Sequence, residues 1–230
     1  EILGKIKDKS NNNPLLLDAL REITSIGNKC THTQSLERIT AEEVEKTIEY
    51  LFNLYAYLFV DYFNKYRFGT NEDVQSSFSI LPPIIRYIVL SKLYDNDPDN
   101  VSIIDKFSLA TLKAYDETKA IEWLENRKDE LSDMASVTPA AALGYKANLG
   151  EELANIIIGQ VPDMYDLCIN RVKTVAKTIQ EKGRLYDDFE SAIDFYKDKG
   201  VIEGETAEIS EFNDLMEFVY LGRKARENEN

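Results

Sequence analysis

The chain has 230 residues, 43% of them hydrophobic and 10% aromatic, which is enough apolar material for a substantial core and excludes a wholly disordered protein. Its 27 basic and 41 acidic residues leave a formal charge of −14 and a pI near 4.6, a balance that opposes a broad phosphate-binding face and general nucleic-acid affinity. Cys30 and Cys168 are too few for a disulfide scaffold, and no apolar run reaches 18 residues, so we expect a cytoplasmic protein with no membrane contact.

Glu1 opens the chain without Met or a signal-peptide pattern, and we expect upstream residues to complete the first bundle. Ser10-Asn11-Asn12-Asn13 is a polar break that puts Pro14 in the first turn of a helix, where a missing N–H costs nothing. Leu16, Leu17, Leu20, Ile23 and Ile26 follow at three- and four-residue steps, and Gly27-Asn28 reads as the helix stop. Thr40-Ala41-Glu42-Glu43 has the spacing of a capping box, with Thr40 as cap and Glu43 as reciprocal acceptor. From there nothing breaks a helix over 41–66. Tyr50, Phe52, Tyr55, Tyr57, Phe59, Tyr62, Phe63 and Tyr66 make it apolar round most of its circumference beyond Leu51, so it should be central and buried.

Residues 67–77 read as a linker. Helices are then expected over 84–94, 98–115, 117–131, 139–146, 151–159, 162–182, 184–199 and 208–226. Strand-like alternation is nearly absent, so the fold class is all-α. The first 40 residues are almost neutral, whereas 71–140 hold thirteen acidic and seven basic side chains. We therefore divide the chain into a helical domain at 1–69 and an acidic helical body at 70–230.

Several chemistries are excluded by residue type. The sequence has no GxxxxGK[ST], GxGxxG, CxxC, HExxH or GxSxG. With one histidine, His32, a four-ligand His/Cys zinc site cannot form within a subunit. Asp95, Asp97 and Asp99 begin like a calcium loop, but Pro98 interrupts them and Lys106 holds position 12. The acidic groups Glu203/Glu205/Glu208 and Asp187/Asp188/Glu190/Asp194 read as solvated faces. We expect neither a metal nor a cofactor.

The chemistry question narrows to Arg21 through His32, where a helix meets Gly27-Asn28, with His32 four residues beyond Asn28 and a long aromatic helix downstream. This arrangement, G-N-x-x-x-H ahead of a long helix, resembles the HEPN-like helical domains of prokaryotes over about 14–68. The resemblance implies a small antiparallel helical bundle, frequent homodimerisation, and a prokaryotic defence, RNA-cleavage or toxin–antitoxin context. Active members of that family carry R-x4–6-H, an arginine orienting phosphate and a histidine handling the 2′-hydroxyl proton without a metal. Here ten residues separate Arg21 from His32, so no arginine stands at the close spacing. Lys29 is near, but its point charge lacks the planar fork of a guanidinium.

Downstream, Asp97-Pro98-Asp99-Asn100, Leu109-Ala110 and Lys119-Ala120-Ile121-Glu122-Trp123-Leu124 resemble one tetratricopeptide-like hairpin over about 97–131, with small residues where two helices approach. The leading expectation is a HEPN-like bundle followed by this hairpin body: a non-catalytic interaction or scaffold protein whose partner is another protein or a second copy. The alternative is a metal-independent endoribonuclease using His32, with Arg21 and Asn28 as the accompanying candidates. A nucleotide-sensing module is the third reading, and no phosphate-binding loop supports it. The tyrosines and phenylalanines of 50–68 could stack on bases, but they stand at core spacing with few interleaved cations.

Overall fold

Side-chain caps set most of the helix starts. The computed structural model describes residues 14–31, 38–186 and 188–222. Among them eight helices open on Thr40, Asn71, Asn100, Asp116, Thr138, Asp163, Asp188 or Thr206, each side chain accepting from a backbone N–H of the first turn. Twelve helices and no strand occur among the described residues, so the chain is all-α. One isolated antiparallel bridge joins Ala135 and Asp163. The chain forms two units, residues 1–66 with 204–230, and residues 67–203.

In the first unit, α1 (Pro14–Thr31) packs along α2 (Ala41–Lys65), and α12 (Ala207–Tyr220) packs on α2. The Thr40 capping box is complete: Glu43 N donates to the Thr40 hydroxyl at 3.1 Å, and Thr40 N donates to the Glu43 carboxylate at 3.0 Å. Unbroken as expected, α2 buries its second half through Ala56, Phe59, Val60, Tyr62 and Phe63. Phe59 and Tyr62 meet Phe212 of α12 at ring-centroid distances of 5.9 and 5.5 Å, and the Tyr62 hydroxyl donates to the Glu208 carbonyl. The first half is different. Val44, Ile48 and Leu51 are 47, 46 and 37% exposed, so only part of this helix is central.

Gly27-Asn28 does not stop α1, which continues to Thr31. The Thr24 and Thr31 hydroxyls donate back to the Leu20 and Gly27 carbonyls. Lys29 Nζ ties this last turn to Glu43 of α2 at 2.8 Å. Glycine permits a left-handed stop without requiring one, and contacts to α2 carry the helix past it.

The second unit holds α3 (Glu72–Phe78), α4 (Pro83–Asn96), α5 (Val101–Ala114), α6 (Glu117–Glu125), α7 (Lys128–Ser132), α8 (Pro139–Leu149), α9 (Glu151–Ile158), α10 (Met164–Lys182) and α11 (Phe189–Lys199). α5 packs against α4, α6 and α10, while α10 also packs on α6 and α7. Their shared core includes Ile104, Leu112, Ala120, Leu124, Met164, Cys168 and Val172. Ala110 and Ala120 are 1 and 0% exposed where α5 and α6 approach. An ion pair at 2.6 Å links Arg171 of α10 to the buried Asp105 of α5. α8 and α9 pack on each other and leave Leu143, Leu149, Leu153 and Ile156 exposed.

Five expected boundaries differ in ways that have a physical reason or a grouping behind them. Residues 72–78 form a helix rather than linker, because the Asn71 side chain accepts from Asp73 N and Val74 N. The expected 117–131 helix breaks at Asn126-Arg127, where the Arg127 guanidinium turns back over the Trp123 and Tyr94 rings and donates to the Trp123 carbonyl. The expected 184–199 helix starts only at Phe189, capped by Asp188, while Tyr186 sends its hydroxyl to the Ile80 carbonyl. Residues 204–222, read as part of the acidic body, group instead with the first unit, since α12 packs on α2. The unit division at 66/67 falls three residues before the 69/70 boundary read from the sequence.

Candidate functional site

The end of α1 and the start of α2 bring basic side chains together. Lys29, Arg38, Thr40, Glu42, Glu43 and Lys46 line a shallow cavity of about 540 Å³. Lys29 crosses from α1 to bond Glu43, and the Thr40 capping box fixes the turn that brings Arg38 into place. The Lys29 hydrogen bond, followed by the backbone bond at Thr40, holds the Glu43 carboxyl below the usual carboxylate range. One carboxylate is thereby engaged by one cation, while Arg38 and Lys46 add two positive charges to the rim and Glu42 one negative charge.

Of the residues singled out from sequence, His32 lies outside the described residues. Arg21 points into solvent and pairs with Asp18 at 3.0 Å, one turn away on the same helix. Asn28 is exposed on α1. The structure therefore does not bring Arg21 and Asn28 into one pocket. Arg67, the other arginine near the aromatic helix, belongs to the second unit, where its guanidinium bonds Asp97 at 3.0 Å. Arg38 is the arginine that lines the α1–α2 cavity. Its signal in the sequence was weak: a cation two residues before a capping threonine, matched by Lys29 on the preceding helix and Lys46 on the following one.

The aromatic run resolves into core over its second half. Phe59, Tyr62 and Phe63 are 0, 4 and 5% exposed and are enclosed by one another, Tyr66 and Phe212. Burial raises the Tyr62 hydroxyl above the ordinary phenol range, with smaller contributions from Glu208 and its neighbours. None of these three rings presents a face for base stacking.

Cys168 is buried in the second unit. Burial, then the nearby Asp105 charge, pushes its thiol up to about 12, so it stays protonated and unreactive at neutral pH. Asp97 accepts from the Arg67 guanidinium and the Asn100 amide, and Asn100 caps α5 while donating to the Phe68 carbonyl. Among the described residues no group of three or more His, Cys, Asp and Glu is placed to hold a metal ion. No helix there is long and apolar enough to cross a membrane. Compared with models of protein families, with curated proteins and with solved structures, the chain gives no match.

Proposed function

We propose that this protein is a non-catalytic helical interaction module that self-associates through the first half of α2. One observation carries the reading: Val44, Ile48 and Leu51 remain exposed at i, i+4 and i+7. At 3.6 residues per turn these positions fall within about 60° of one another, a single apolar stripe on one side of the helix. α1 occupies a different side, marked by the Lys29–Glu43 bond. Contiguous exposed apolar surface is characteristic of interaction sites, and a second copy of the stripe is self-complementary by two-fold symmetry. The exposed leucines and isoleucine of α8–α9 give the second unit apolar surface of its own. The resemblance of 14–68 to HEPN-like domains supports a reading of dimerisation here and of a cytoplasmic defence or RNA-related setting. Immobilised tagged protein is expected to retain untagged wild type and to lose untagged Ile48→Glu. Equal retention of the two would sink the reading.

A second reading, RNA cleavage by His32 without a metal, is favoured by the cavity of Lys29 and Arg38, residues on either side of His32 in the sequence. Such cleavage needs a proton acceptor near the 2′-hydroxyl and a cation near the scissile phosphate. The interaction reading predicts no cleavage of single-stranded RNA by the purified chain. Cleavage lost in both His32→Ala and Arg38→Ala would install the nuclease.

A further inference from the structure

The second unit contains a cavity of about 310 Å³ whose walls combine aromatic rings with cations. Tyr87, Tyr115 and Trp123 supply the rings, Lys119, Arg127 and Asn126 line the polar side, and Glu122 sets one carboxylate beside the two cations, which leaves the lining one positive charge in excess. Trp123 is held edge-on by Phe107 at 4.9 Å and by Tyr94 at 5.4 Å, so its ring is fixed before any ligand arrives. Tyr115 packs edge-on to Tyr87 at 4.9 Å yet stays 40% exposed. The cations are placed by the rings: Lys119 Nζ lies 4.1 Å from the Tyr115 centroid, and the Arg127 guanidinium 4.7 Å from that of Trp123.

Among the described residues neither Lys119 nor Arg127 forms a salt bridge. This is not for want of acids, since residues 71–140 hold thirteen of them. Cation–π contact positions both charges without neutralising them. Arg127 gives one N–H to the Trp123 carbonyl, and a guanidinium has five. The volume sits at the small end of ligand pockets, which run from roughly 300 to 1,000 Å³. It suits one planar ring carrying an anionic group.

We propose that this cavity binds a nucleoside monophosphate, its base against Tyr115 and Trp123 and its phosphate between Lys119 and Arg127. Stacking accepts any base, phosphate takes the two cations, and the Asn126 amide offers a donor and an acceptor to the base edge. The proposal stands independently of self-association, since every residue it uses belongs to the second unit.

Trp123 is the chain's single tryptophan, so fluorescence excited at the long-wavelength edge, where the tyrosines do not absorb, reports this cavity alone. The full chain is titrated with adenosine 5′-monophosphate, with adenosine and inorganic phosphate as separate arms. We expect a saturable fluorescence change with the monophosphate and about tenfold weaker binding, or more, in each of the other arms. Lys119→Ala and Arg127→Gln should each weaken the monophosphate about tenfold. Lys128→Ala, whose ammonium sits over Tyr165 away from the cavity, should leave it unchanged. Lys119 is exposed, so its variant keeps the fold and the test stands even where Arg127→Gln unfolds. No saturable fluorescence change and no calorimetric heat would overturn the proposal. Phosphate alone matching the nucleotide, or Lys119→Ala binding like wild type, would also overturn it.

Discussion

Thr40 and Glu43 bond each other's backbone groups within one turn, so their role could be read from spacing alone, without knowing what α2 packs against. Removing such a cap costs about 1 kcal/mol, and Thr40→Ala is expected to lower the unfolding free energy by about that amount in urea titrations. An unchanged midpoint would contradict the role. Lys113 could not be read in this way. It is half-buried on α5, and burial, then the charges of Arg86 and Lys106, push its ammonium down to about 8 from the ordinary 10.5. Between those pH values the unfolded chain binds more protons than the folded one, so stability gains from rising pH across that window. Lys113→Met should lose this gain, measured as the wild-type-minus-variant difference in unfolding free energy at pH 7.5 and 10. A difference independent of pH would show that the ammonium is solvated in the folded state. Arg21, by contrast, is a local case: it pairs with Asp18 one turn away on the same exposed helix face.

Elements with strong local signals came out close to their expected bounds. α2 ends one residue short of the expected 66, and α10 begins just after its Asp163 cap. Elements whose limits depend on distant groups did not. Arg127 ends α6 by stacking on Tyr94, thirty-three positions away, and Tyr186 delays α11 by bonding the carbonyl of Ile80. Seven-residue α3 depends on the Asn71 cap, a signal outweighed in the sequence by the polar run Gln75-Ser76-Ser77. Burial within a helix also escapes periodicity, since Leu143 and Phe59 both stand in helical patterns yet are 68 and 0% exposed. Phe59→Ala should therefore destabilise by about 3–5 kcal/mol, and Leu143→Ala by no more than about 0.5 kcal/mol. Comparable losses in denaturant titrations would contradict the assignment of core and surface.

The all-α class was legible from the lack of alternating segments and the density of caps, both summed over the whole chain. How the helices group was not, because α12 joins α2 through Phe212 and Glu208, contacts about 150 positions apart in sequence that no local pattern records. Function is legible only where residue types exclude a particular chemistry: with one histidine and two cysteines the chain cannot complete a four-ligand His/Cys zinc site within a subunit. What remains is apolar surface that the fold does not cover. Sedimentation equilibrium of the wild type and Ile48→Glu, from low to high micromolar concentration, tests self-association through that surface most directly. The account predicts a wild-type mass rising to twice 26.3 kDa and a variant held at 26.3 kDa. A wild type that stays at 26.3 kDa throughout the range would contradict it.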